Sequence, residues 1–186
     1  MEKEIKLHLG CWKRILPGFI HIDLCDLDHI DVKTSVDDLS MFKDESVGLI
    51  YASHVLEYFD RLEVNKVLKE WHRVLRPRAT LRVAVPDFEA LIEVYKRTGI
   101  IENILGPMYG KIFVENTDMV MYHKTAYDFR SLKDLLEKNG FNKVRRYRWQ
   151  DTPPHDKIDD HSQAYFPHMD KKNGILVSLN LEANRA

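Results

Sequence analysis

The side chains able to do chemistry fall in three stretches. The first is Gly10-Cys11-Trp12, which ends the alternating run "IKLHLG", together with Asp23 at the end of "FIHID". A glycine at a strand end lets backbone N–H groups approach a ligand, and an acid ending the next strand can accept both hydroxyls of a ribose. A plain glycine turn with a capping aspartate uses the same residues. The second stretch is "YASHVLEYF", where His54 titrates near neutrality and suits a general base, and where Glu57 would orient that ring or cap the next element. The third is "DTPPHDKIDDHSQAYFPHMDKKNG", residues 151–174, with His155, Asp156, Asp159, Asp160, His161, His168 and Asp170. Its irregular spacing fits neither an HExxH helix nor an EF-hand loop, so no metal is expected. Its polar and aromatic residues suit a sugar-like or other polyhydroxylated substrate meeting Asp160, Gln163, Tyr165 and His168; a plain surface loop is the alternative.

The elements that must position these residues can be read from their periods. Ile5, Leu7 and Leu9 alternate with Lys6 and His8, and Ile20, Ile22 and Leu24 alternate with His21 and Asp23, as in strands. Residues 47–52 and 81–86 are continuous apolar runs, the pattern of strands covered on both faces of a parallel sheet. Between them Val64, Val67, Leu68, Trp71, Val74 and Leu75 follow helical spacing, with Asp60 and Glu63 as a capping box and Pro77 as the stop. A helix is predicted from Asp87 to Gly99, and another in "SLKDLLEKNG", with Ser131 as cap, Asp134 at the capping-box position and Gly140 as a left-handed terminus. Residues 143–149 and 174–183 read as closing strands, paired as an antiparallel hairpin at a sheet edge. This order predicts a three-layer α/β fold with its ligand at the carboxyl ends of the strands.

At 186 residues the chain suits a single domain, 1–186, with residues 151–174 as a substrate lid or a disordered insert. The net charge of −1 gives no global field toward nucleic acid or anionic membranes. Lys143, Arg145, Arg146 and Arg148, interleaved with Tyr147 and Trp149, are the one local basic strip, which also reads as a protected sheet edge. The expected partner is a small molecule, with no nucleic acid. Two cysteines, no signal-type leader and no apolar run of membrane length point to a reduced, cytoplasmic protein without a membrane span.

The segments "LHLGCW…PGFIHIDL", "DDLSMFKDESVGLIYASHVLEYF" and "EVNKVLKEWHRVLRPRATLRVAVPD" resemble class I S-adenosylmethionine-dependent methyltransferases. More narrowly they resemble the small predicted methyltransferases associated with bacterial surface-polysaccharide genes. The likeness continues through "YHKTAYDFRSLKDLLEKNGF" and "DDHSQAYFPHMDKKNGILVSLNLEA". It implies a Rossmann-like class I fold with a mostly parallel sheet and a C-terminal antiparallel hairpin. It also implies S-adenosyl-L-methionine as cofactor and O- or N-methylation of a small polar, glycan-related acceptor such as a nucleotide-linked sugar. By the same resemblance Gly10, Cys11 and Trp12 line the methionine portion of the cofactor, Asp23 holds the ribose, Asp38 and Leu39 lie by the adenine, and Ser53 and His54 sit under the sulfonium. His123, Lys124 and Tyr127 would face the strand ends, with His54 the first choice of base and His123 the second. A homodimer is compatible with this reading.

The sequence departs from the family pattern at three places. Gly10-Cys11-Trp12 stands for "GCG", His54 to Tyr58 ends in tyrosine where "HVLEH" ends in histidine, and Pro77-Arg78-Ala79 stands for "PGG". Trp12 divides the readings. An indole turned aside leaves an enzyme, whereas an indole filling the cleft leaves a catalytically degenerate binding module. Since Asp23, Asp38 and "SHVLE" all remain, the indole is expected to turn aside.

Overall fold

A computed structural model describes residues 4–154 and 158–186. His155 and Asp156 of the third stretch lie outside the described residues. Strands β1 (Ile5–Leu9), β2 (Ile20–Asp23), β3 (Val32–Lys33), β4 (Val47–Ser53), β5 (Leu75–Pro86), β8 (Phe141–Arg146) and β11 (Ser178–Arg185) form one seven-stranded sheet, ordered β3-β2-β1-β4-β5-β11-β8. The first five are parallel: Leu7 lies opposite Ile20 on one side and Ile50 on the other, and Ile50 lies opposite Leu81. β11 runs antiparallel to both β5 and β8. The expected hairpin is present, but the last strand is the inner one. Residues 178–181 are buried, while β8 carries Lys143, Arg145 and Arg146 exposed, which suits it to the unpaired edge.

Helix α1 (Glu63–Val74) buries Val64, Val67, Leu68, Trp71 and Val74, and Trp71 Nε1 donates to the Val36 carbonyl at 2.8 Å. The Asp60 and Glu63 exchange is present, with Glu63 N donating to Asp60 Oδ1 at 2.8 Å and Asp60 N to Glu63 Oε2 at 2.9 Å. Pro77 does not end this helix. The chain leaves it at Leu75, the first residue of β5, and Arg78 inside that strand takes φ +67° where the family has glycine. α2 (Phe88–Thr98) is capped by Asp87 and closed by Gly99 at φ +66°. α4 (Phe129–Lys138) starts earlier than the Ser131 cap expected. Asp128 is the cap, accepting from Ser131 N at 2.7 Å, and Ser131 Oγ accepts in return from Asp128 N at 3.0 Å. A single serine thus serves at the box position and not as the cap.

α1 and α4 share the larger apolar core with the sheet, while α2 packs with α3 (Glu102–Tyr109) in a second cluster around Leu91 and Val94. A hairpin of β6 (Lys111–Phe113) and β7 (Val120–Tyr122) follows α3. Neither α3 nor this hairpin has a clear apolar period, and Pro107 lies inside α3. Of the 151–174 stretch, residues 161–163 form a 3₁₀ turn, and β9 (Tyr165–Phe166) pairs with β10 (Ile175–Leu176). Asp160, Ser162 and Gln163 are buried, and Asn180 Nδ2 donates to the Ser162 carbonyl at 2.8 Å. Among the described residues no helix is long and apolar enough to cross a membrane.

Candidate functional site

A cleft of about 1010 Å³ opens where β1, β2 and β4 end. Gly10 starts its floor at φ +62°, and a Cβ there would lie 2.4 Å from Val55 Cγ2, so both conformation and packing require glycine. Trp12 is also left-handed, at φ +44°, which costs a non-glycine residue about 1–2 kcal/mol. Its peptide groups are pinned in return. Trp12 N donates to Asp23 Oδ2 at 2.7 Å, and its carbonyl accepts from His29 Nε2 at 2.7 Å. Asp23 Oδ1 accepts from Cys25 N at 2.9 Å. Asp23 therefore shapes the loop and also lines the cleft, with lone pairs to spare on each oxygen. Cys11 and Cys25 line it too. Burial, with Asp23 adding to it, pushes their thiols up to about 12 and about 11, so neither is a nucleophile near neutral pH.

Trp12 is half-buried and is among the residues lining the cleft, with Lys13 Nζ 4.9 Å and the Arg14 guanidinium 5.9 Å from its ring. Its Nε1 is buried without a hydrogen-bond partner among the described residues, as is Ser53 Oγ in the same cleft. Asp38 is exposed and accepts from Ser40 N at 3.1 Å, and Leu39 is fully buried in the core. Neither lines the cleft, where Ser35 and Val36 stand instead. The loop after β3 turns Asp38 outward because Leu39 must pack inward beneath α1.

His54 follows β4 at φ +56° and lines the cleft. Its partners fix its tautomer. Ser178 Oγ donates to Asn180 Oδ1 at 3.0 Å, so it accepts from His54 Nε2, 3.2 Å away. The remaining nitrogen, Nδ1, lies 3.3 Å from Glu57 Oε1, close enough for an ion pair although neither carboxyl oxygen has a well-formed hydrogen bond. Glu57 is fully buried, which pushes its carboxyl up to about 8. Burial, then the neighbouring His161 and His123, hold His54 well below the usual imidazole range. Near neutral pH both groups are therefore uncharged, with the Glu57 proton beside a bare Nδ1.

His123 donates from Nδ1 to the Pro107 carbonyl at 2.8 Å, packs edge-on against Tyr58, and does not line the cleft. Tyr127 is buried in the core and donates to the Leu56 carbonyl at 3.4 Å, also off the cleft. A second cavity of about 700 Å³ adjoins the first and is lined by Asp159, Tyr165 and His168 among others. Arg14, Asp160 and His161 line both. Gln163 is turned inward: its Nε2 donates to the Ile158 carbonyl and its Oε1 accepts from Lys171 Nζ at 2.7 Å. Asp160 accepts from Tyr51 Oη at 2.5 Å and from Ser162 N at 2.8 Å. Arg145 pairs with Glu182 at 2.7 Å, and Arg146 with Asp87 at 3.1 Å and Glu89 at 3.2 Å, so these edge arginines serve the sheet. Among the described residues no group of three or more His, Cys, Asp or Glu is placed to hold a metal. Sequence reasoning missed Arg14 and the position of His161, because no local period relates either to the strand ends.

The sheet order and the cleft over its parallel strands are those of the Rossmann-like methyltransferase fold. Residues 21–83, about a third of the chain, match the methyltransferase-domain family. Solved structures agree. A S-adenosylmethionine-dependent methyltransferase from Thermotoga maritima superposes with a TM-score of 0.61 at 16% identity, over 100% of this chain and 84% of that one. One from Archaeoglobus fulgidus gives 0.60 at 15%, over 97% and 86%. The 1,6-didemethyltoxoflavin-N1-methyltransferase of Burkholderia thailandensis, solved with S-adenosylhomocysteine, gives 0.54 at 11%, over 98% and 71%. No curated protein matches the chain. The residues at the cleft fit the cofactor of such enzymes: an acidic strand end, a glycine floor and two buried donors, Trp12 Nε1 and Ser53 Oγ, without partners among the described residues.

Proposed function

We propose that the chain transfers a methyl group from S-adenosylmethionine to a hydroxyl or amine of a small polar acceptor, glycan-related and of the size of a nucleotide-linked sugar. The observation that carries this reading is the junction of the two cavities at Arg14, Asp160 and His161. Gly10, Cys11 and Trp12 would line the methionine portion of the cofactor, Asp23 would accept from the ribose hydroxyls, and Ser53 and His54 would lie under the sulfonium. When bound, the cofactor supplies an electrophilic methyl group. The protein's task is then to hold a nucleophile in line and to remove its proton. Tyr165 and His168, with Asp160, give the second cavity the aromatic and polar lining that a sugar needs.

Trp12 in the cleft wall favours a second reading, a binding module in which the indole occupies cofactor space. Thermal unfolding with S-adenosylhomocysteine separates the two. At a hundred times the dissociation constant, binding stabilises the fold by about 2.7 kcal/mol, an upward shift of roughly 5–10 °C for a chain of this size. Wild type should shift, and Asp23→Ala should weaken binding at least tenfold, about 1.4 kcal/mol. No shift in wild type with a shift gained by Trp12→Gly would establish the module.

A further inference from the structure

His54 donates from Nε2 to Ser178 and faces the buried Glu57 carboxyl with Nδ1 at 3.3 Å, turned to the protein interior, and His123 lies off both cavities. The imidazole left at the junction is His161. Its ring lies 5.2 Å from the His54 ring, lines both cavities, is exposed at their mouth, and has no hydrogen bond among the described residues. Its backbone is firmly mounted. Asp160 caps the turn, Ala164 N donates to the His161 carbonyl at 3.0 Å, and Val177 N to the Ala164 carbonyl at 2.9 Å.

Building on the methyl-transfer reading, we infer that His161, rather than His54, is the general base that takes the acceptor's proton. As the acceptor oxygen bonds to the methyl carbon, the carbon–sulfur bond breaks and its electron pair stays on sulfur, leaving a neutral thioether. The hydroxyl proton passes to His161, and the imidazolium releases it to solvent at the open mouth. The charged and titratable groups facing this ring are Arg14, Asp159, Asp160, His54 and His123, with Tyr165 and His168 in the same cavity. Desolvation in the cleft and the Arg14 guanidinium hold the ring below the usual imidazole range, opposed by Asp160 and Asp159. Asp160 is already bonded to Tyr51 and Ser162, and Asp159 is paired with Lys171 at 3.1 Å. The ring is thus unprotonated near neutral pH, as a base must be. His54 is a positioning residue in this scheme, fixing the floor against which His161 stands.

Diethyl pyrocarbonate, which acylates unprotonated and accessible imidazoles, tests this on the whole chain, read by peptide mass mapping between pH 5 and 8. His161 should be modified well ahead of His54 and His123, reach half its limiting rate below pH 6.5, and be protected at least threefold by saturating S-adenosylhomocysteine. Calorimetry on the same sample shows whether that ligand binds. If it does not, the methyl-transfer reading fails and this inference with it. If it binds while His161 stays unreactive or unprotected, the inference alone is overturned. His161→Gln should keep its affinity for S-adenosylhomocysteine within twofold; a tenfold loss would make His161 a cofactor contact and overturn its role as base.

Discussion

Glu57 is held at a cost. A fully buried carboxyl with no well-formed hydrogen bond at either oxygen among the described residues is tolerable only while neutral. The folded group titrates at about 8 against an ordinary 4.5, so between those values the unfolded chain binds fewer protons than the folded one. Stability from this residue is greatest below about pH 4.5 and falls as pH rises towards 8, by an amount on the order of a few kcal/mol. His54, depressed below 6.5, acts in the opposite sense, losing stability as pH falls below that value. Urea unfolding at pH 5, 6.5 and 8 should therefore show Glu57→Gln without the alkaline loss but with the acid-side loss intact. Equal slopes in wild type and Glu57→Gln would mean that the carboxyl ionises at its ordinary value.

The strand ends are where the sequence is most transparent. Alternation in β1 and β2 places Gly10 and Asp23 at the cleft, because a strand fixes the direction of every second side chain. Asp38 escapes such reading, since its loop is oriented by the burial of Leu39 and not by a period. The same contrast separates α1, whose apolar spacing and Asp60–Glu63 box are plain, from α3 and β6–β7, which have little of either. His161 lies directly against His54, and β11, through Ser178 and Asn180, ties the two segments together, a contact that no sequence window contains. The β1–β2 turn gives a prediction at this scale. Gly10→Ala should lower stability by more than about 1–2 kcal/mol, since left-handed strain adds to the overlap with Val55. Val55→Ala in that background should recover only the steric part. Full recovery, judged by unfolding midpoints, would show that the backbone angle carries no penalty.

Across the whole molecule, the sheet is stitched by charges between its strands and helix α2. Arg82 and Arg145 converge on Glu182 from strands on either side of β11, and Arg146 is taken by Asp87 and Glu89 at the start of α2. Lys143, Arg145 and Arg146 lie exposed on β8, the edge strand of the sheet, where charge discourages edge-to-edge pairing. The loop carrying Asp160 is tied through Tyr51 to β4, so both walls of the site rest on the central strands.

The carboxylate of Asp23 already grips the amides of Trp12 and Cys25, so the turn has its working shape before anything enters it. Its consequence lies in time. A preformed site has no slow rearrangement to wait for, so encounter alone should set the pace of association. The indole of Trp12, standing in the wall, supplies the fluorescence signal. Stopped-flow mixing with S-adenosylhomocysteine should give a single exponential whose rate climbs linearly with ligand concentration. A rate that levels off would instead reveal a turn that must first be rebuilt.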